Sequence, residues 1–225
     1  MAEMDEVVYL VDVDNTLLDN DRVSSDLRAK LARDFGPACE EQYWKILEQL
    51  RTELGYADYL GALQRYRLSH MHDPAILLIS SFLVDYPFSD RFYPHAPEAL
   101  YRLKTLGTTA ILSDGDVVFQ PRKIERSGIA GILDGRALIY IHKERELDDV
   151  EQKYPARHYV LIDDKLRILT AVKRIWRERV TTVFVKQGHY AHDAEEVAKY
   201  PPADISLGAI GDILTHEAFS QPLSA

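Results

Sequence analysis

Apolar positions in this chain follow two patterns, and the order in which these alternate carries the first structural information. Short aliphatic or β-branched runs at Val7–Val11, Thr108–Leu112, Arg136–Ile141, His158–Ile162 and Val180–Val185 read as strands, and the first is too short for a helix and suits a strand buried on both faces. Between them, apolar residues recur every three or four positions, the period of a helix that buries one face. Leu100, Leu103 and Leu106 mark such a helix before Gly107. Val117–Ser127 forms another, ended by Gly128, and Leu166, Leu169, Val172 and Ile175 lie on a third that runs to about Glu178. Strands alternating with helices predict an α/β fold, a Rossmann-like and mainly parallel sheet with helices on both faces joined by right-handed crossovers. A short edge strand at Ile205–Leu207 and a helix near residues 208–217 complete it.

One long stretch breaks the alternation. Ser24 and Ser25 suit a helix start, Leu27, Leu31 and Phe35 follow, and Gly36-Pro37 supplies a stop. Tyr43, Ile46, Leu47, Leu50 and Leu54 mark a second helix closed by Gly55, and Tyr59, Leu63 and Tyr66 a third. Pro74 opens a fourth, with Pro87 just past its end. Residues 20–88 thus read as an all-helical insert, with residues 1–19 and 89–225 forming the Rossmann-like core. The same amphipathic helices would also suit a thickening of that core.

Polar residues collect where the strands end, which is where parallel α/β sheets bind ligands. Val7–Val11 delivers Asp12 and Asp14, the second run Ser113-Asp114-Gly115-Asp116, the third His142-Lys143-Glu144, and the fourth Asp163-Asp164-Lys165. Acids two residues apart on a strand end face one side, and their repulsion calls for a cation or a bound proton. A hard divalent ion is the simplest remedy. On spacing alone, Asp14-Asn15-Thr16 reads equally as a polar turn, Ser113 as the start of another, and Asp163-Asp164 as a pair capping the next helix. Lys123 and Lys153 compete with Lys143, but neither follows an apolar strand.

Taken together and in this order, Asp12-Val-Asp14-Asn-Thr16-Leu-Leu, Ser113, Lys143 and Asp163-Asp164 resemble the motifs of the haloacid dehalogenase superfamily, and the helical insert resembles its first type of cap. The resemblance implies a Mg2+-dependent phosphohydrolase acting on a small phosphorylated metabolite. Asp12 would be the nucleophile, Asp14 the acid and base, and Lys143 the charge balancer. Ser113, Asp114 and Thr16 would serve the substrate phosphate, Thr16 mainly by steadying the turn. The cation would be held by Asp12, the backbone carbonyl of Asp14, and Asp164, with Asp163 binding directly or through water. Superfamily members often carry Asn where Asp114 stands, so its added charge beside a phosphate is a departure. A true dehalogenase of the superfamily lacks the acid at the position of Asp14. A phosphomutase would share every motif, whereas a regulatory member without activity would have lost an acid, and none is lost here.

Composition narrows the class of partner. With 46% hydrophobic and 28% charged residues, the 225-residue chain has the balance of a globular protein, and a formal charge of −9 disfavours nucleic acid bound by a general basic surface. Cys39 is the single cysteine, which excludes an internal disulfide and suits a packing role. The acidic start, Met1-Ala-Glu-Met-Asp-Glu, differs from a secretion signal, and no apolar run reaches the roughly 20 residues of a membrane span, so a cytoplasmic protein is expected. His189 and His192 read as loop histidines. Arg51, Arg65, Arg67, Tyr66 and His70 are the insert residues whose chemistry suits an anionic leaving group.

Overall fold

A computed structural model of the chain describes residues 5–221. Strands β1 (Asp5–Val11), β2 (Thr108–Asp114), β3 (Ala137–Tyr140), β4 (Ala156–Asp163), β5 (Val180–Val185) and β6 (Ile205–Leu207) form one six-stranded sheet in the order β3-β2-β1-β4-β5-β6. Every pairing is parallel. In β1 the side chains alternate, with Val7, Tyr9 and Val11 entering one apolar cluster and Val8 and Leu10 the other. A strand sandwiched in this way needs apolar residues at consecutive positions, hence the unbroken run in the sequence.

After β1 come four successive helices, α1 (Asn20–Phe35), α2 (Pro37–Leu54), α3 (Tyr59–Ser69) and α4 (Ala75–Asp85), before the chain returns to the sheet. Helix α1 starts earlier than Ser24 and Ser25 suggest. Its cap is Asp19, whose Oδ1 accepts the Arg22 amide at 2.8 Å, while the Ser24 hydroxyl lies inside the helix, 2.7 Å from that of Tyr59. At the end of α2, Gly55 holds a left-handed φ of 82°, so the expected stop is where the backbone needs a glycine. The chain leaves and rejoins the sheet side by side, since the Asp19 amide donates to the Arg91 carbonyl at 2.8 Å and the Tyr93 amide to the Leu17 carbonyl at 2.9 Å. Apolar packing runs without a gap from Tyr9 and Val11 to Tyr43 and Leu47 in the helices, and it includes Cys39.

Helices α5 (Ala96–Leu106), α6 (Phe119–Ser127) and the single turn α7 (Ile129–Ile132) cover the Tyr9 face of the sheet, and α8 (Leu147–Lys153) and α9 (Leu166–Trp176) the Leu10 face. Ile175, expected in the core, is 58% exposed. Trp176 occupies the core instead, with its ring stacked 4.2 Å from that of Tyr159, because a strict three-residue spacing drifts off a helix face of period 3.6 and the position four after Val172 stays on it. The helix expected near residues 208–217 is two 3-10 turns, Ile210–Leu214 and Glu217–Phe219. Only Ile210 and Ile213 of the first are buried, three apart, and that spacing suits the tighter helix. After β5, His189 and His192 stand on a short helix, α10 (Gly188–His192), rather than in an open loop, followed by α11 (Ala194–Val197). Among the described residues, no helix is long and apolar enough to cross a membrane.

Gly188 is where α10 is pinned to the first strand's exit. Its φ is +68°, and a Cβ there would stand 2.4 Å from the Cβ of Asn15. We expect Gly188→Ala to lose about 1–3 kcal/mol through strain and displacement of Asn15, read as a lower urea midpoint with unchanged slope. An unshifted midpoint would show that the turn gives way freely.

Candidate active site

Strand order reverses at β1, so the carboxyl ends of β1, β2 and β4 open onto one crevice. Asp12 follows the last residue of β1 and Asp163 ends β4, and beside them the carboxylates of Asp12, Asp163 and Asp164 offer oxygens all within 4.8 Å of one another. Lys143, just past β3, reaches into the group from the opposite side and is only 1% exposed. Its ammonium donates to Asp12 Oδ1 at 2.5 Å and to the Leu112 carbonyl at 3.1 Å, and lies 2.7 Å from Asp163 Oδ2. Burial alone would lower the lysine's pKa, but Asp12, Asp163 and Asp114 outweigh it and hold the ammonium charged. Among the three candidate lysines of the sequence, Lys143 is therefore the one at these carboxylates.

Adjacent acids in a regular strand would point apart, but β4 is already turning at its end. The Asp163 Oδ1 accepts the Lys165 amide at 2.8 Å, which starts the turn into α9 and aims both acids at the crevice. Burial pushes Asp163 above the usual carboxylate range despite Lys143, and raises Asp164 much further despite Lys165. Asp164 is fully buried, and neither of its carboxylate oxygens has a hydrogen-bond partner. Such a group is costly unless a proton or a cation completes it.

The turn after Asp12 is heavily braced. The Thr16 hydroxyl, wholly buried, donates to Asp12 Oδ2 at 3.3 Å. Asn15 adopts a left-handed φ of 61°, and its Oδ1 accepts the amides of Asn20 and Asp21 at 3.0 and 3.2 Å. Gln187 donates to the Thr16 carbonyl at 3.0 Å, and the ring Nδ1 of His189 lies 2.6 Å from Asp21 Oδ1. Asp14 points elsewhere: its Oδ1 receives the Lys123 ammonium at 2.5 Å. In the second motif, Ser113 is buried and accepts from Gln120 Nε2 at 2.9 Å, while Asp114 accepts the Lys143 amide at 2.7 Å. That bond occupies the departing carboxylate with the very residue that balances Asp12, and burial raises its pKa.

A cleft of about 210 Å3 opens above this group, lined by Asp14, Asp114, Lys165 and Arg167 from the sheet side and by Arg51 of α2, Tyr59 of α3 and Tyr56 in the link between them. Of the five insert residues singled out in the sequence, Arg51 lines it. Arg65 instead pairs with Glu53 at 2.6 Å on the surface, Tyr66 donates to Asp73 at 3.0 Å, and the His70 ring stacks on Tyr66. Gln120 was not anticipated at the site, and Lys123, weighed only as a rival to Lys143, reaches Asp14 instead. They share the buried face of α6 with Ile124 and Ser127. Polar side chains at i and i+3 on the apolar face of a helix that follows a polar strand end are the signal that could have found them.

Comparisons with known proteins agree with this geometry. A family model described as haloacid dehalogenase-like hydrolase matches residues 8–175. No curated protein matches. A haloacid dehalogenase-like hydrolase from Burkholderia xenovorans LB400 is 60% identical, with 95% of this chain and 99% of that chain covered and a TM-score of 0.90. An L-2-haloacid dehalogenase from Xanthobacter autotrophicus, with chloropropionic acid covalently bound, is 18% identical over 92% of this chain and 96% of that chain, with a TM-score of 0.58. The HAD-hydrolase YfnB from Bacillus subtilis, bound to magnesium, is 13% identical over 92% and 96%, with a TM-score of 0.59. The two distant likenesses show a shared fold, whereas the near relative and the family model together establish that this chain belongs to the haloacid dehalogenase-like hydrolases.

Proposed function

We propose that the protein is a magnesium-dependent phosphohydrolase that cleaves a small phosphate monoester through an aspartyl-phosphate, with no role for nucleic acid or membrane. The observation that carries this reading is Asp164, buried with both oxygens unpartnered beside Asp12 and Asp163. All-carboxylate donors suit a hard cation, and the orphaned oxygens give it a place. Asp12, Asp164 and the backbone carbonyl of Asp14 would hold it, with Asp163 as a further ligand. Bound there, magnesium supplies positive charge that lets an anionic phosphate approach an anionic nucleophile.

The chain's own residues do the rest. Asp12 attacks phosphorus, the bond to the leaving oxygen breaks, and Asp14 gives that oxygen its proton. Asp14 then takes a proton from water as the water attacks the aspartyl-phosphate, which releases phosphate, restores the Asp12 carboxylate and returns Asp14 to its protonated form. Lys143 holds Asp12 and Asp163 in place through both steps and, with the Ser113 hydroxyl, offsets charge on the phosphoryl oxygens. Displacement of halide at carbon needs no such acid, and Asp14 at the cleft favours phosphate chemistry.

A panel of phosphorylated sugars, nucleotides and small acids, together with 2-haloacids, tests this with and without Mg2+ after chelation. Phosphate release that needs the cation, without halide release, is the expected result. Mg2+ at about 100 times its Kd should also raise stability by about 2.7 kcal/mol, or roughly 5–10 °C in Tm for a chain of this size. Full turnover of a phosphate ester in metal-free buffer would remove Asp164 from the proposed role, and halide release alone would overturn the reading.

A further inference from the structure

We propose that Lys123 is a positioning residue for the reaction: it fixes the Asp14 carboxylate at the cleft and ties that alignment to the start of α1. The proposal rests on the reading of Asp14 as the acid. Lys123 is only 1% exposed, although nothing about α6 requires a charged side chain there. Its ammonium lies 5.2 Å from the ring centroid of Phe119 and 6.0 Å from that of Phe88. A buried ammonium is tolerated only with partners, and two are present: Asp14 Oδ1 at 2.5 Å and Asn20 Oδ1 at 3.0 Å.

These partners belong to different parts of the fold. Asp14 lies in the turn after β1, Asn20 is the first residue of α1, and Lys123 comes from α6, beyond β2. Lys123 therefore joins the acid, the first helix after β1 and the sheet-covering layer in one bond set. Among the described residues no other group bonds to the Asp14 carboxylate, whose side chain is 25% exposed at the cleft. A short, partly exposed side chain with one oxygen pinned keeps its other oxygen in one place. Free of Lys123 it would sample other rotamers, and misplacement of a reacting group by about 1 Å costs roughly 10²-fold. The nucleophile needs no such help, since Lys143 and Thr16 already fix both oxygens of Asp12.

Two lysines thus serve two acids separately, and this sets up the test. In the full-length, Mg2+-loaded protein, Lys123→Met, Asp14→Asn and the double variant are compared with wild type on an alkyl phosphate and on nitrophenyl phosphate, in single-turnover and steady-state assays. Methionine keeps the aliphatic stem between the two rings. Lys123→Met is expected to slow alcohol release from the alkyl ester by roughly 10²-fold, with little change in KM, and to slow nitrophenolate release much less, because that leaving group needs no proton. The double variant should be no slower than Asp14→Asn alone, because both changes act through one carboxylate.

Equal slowing for both leaving groups, or losses that multiply in the double variant, would overturn the proposal. So would a raised KM with unchanged kcat, which would make Lys123 a substrate contact. If Asp14→Asn itself spares the alkyl ester, the acid reading falls and this proposal with it. If Asp14→Asn shows the leaving-group effect and Lys123→Met does not, only the role of Lys123 falls. Should Lys123→Met fail to fold, Lys123→Leu, which bonds neither Asp14 nor Asn20, carries the same measurements with the same outcomes.

Discussion

Asp12→Asn should reduce turnover of every phosphate ester to roughly one part in 10⁴ of wild type or less, the scale seen when a covalent nucleophile is removed. The carboxamide is a poor nucleophile towards phosphorus, and no neighbour can stand in. Asp163 is held by Lys143 and by the Lys165 amide, and Asp164 faces the position proposed for the cation. The fold should survive, because an amide oxygen can still accept from Lys143, as Asp12 Oδ1 does at 2.5 Å. The substitution also removes one of three crowded carboxylates. Circular dichroism and Tm near those of wild type, with activity lost, is the expected pair of results. Mass spectrometry of acid-quenched wild type during turnover should place a phosphoryl group on the peptide containing Asp12. Undiminished turnover in Asp12→Asn would overturn the whole reading of the site.

What was legible in the sequence follows from how each feature is encoded. The central strands are carried by largely apolar runs, because a strand buried on both faces leaves little room for polar residues. Asp12, Ser113, Lys143 and Asp163-Asp164 are legible because each stands where such a run stops. Features set by distant contacts were not. Asp19 rather than Ser24 caps α1 because the chain returns at Arg91 and pins the preceding backbone, 72 residues later in sequence. The core place of Trp176 depends on Tyr159 in a different strand. Lys123 looks like a solvated helix residue until α6 is folded onto the turn carrying Asp14. The bracing by Gln187 and His189 likewise joins residues more than 160 positions apart, which no local pattern records.

Lys143→Met should be the most damaging single change to stability, costing roughly 3–5 kcal/mol, the range for removing one partner of a buried ion pair. The ammonium lies among Asp12, Asp163 and Asp114, and methionine fills a similar volume without the charge. What remains is a set of buried carboxylates that have lost their ion-paired ammonium and keep the charge of Lys165 nearby. Two consequences separate this cause from simple loss of packing. Burial already holds Asp163 and Asp164 above the ordinary carboxylate range, and losing Lys143 must push Asp163 higher still. The folded variant then keeps protons that the unfolded chain, with Asp pKa near 3.9, has released. Its stability accordingly falls as pH rises and improves as pH drops towards about 4, so the deficit against wild type narrows on acidification. Mg2+ acts in the same direction. A divalent cation entering a site stripped of its competing ammonium should bind more tightly, and should raise the Tm of the variant by more than that of wild type. Activity would remain low, since the longer Thr16 bond alone would then hold Asp12. Melting curves from pH 4 to pH 8, with and without Mg2+, check both consequences. A deficit that is constant across pH and untouched by Mg2+ would mean that Lys143 holds the core by packing, and that the carboxylates are compensated by other means.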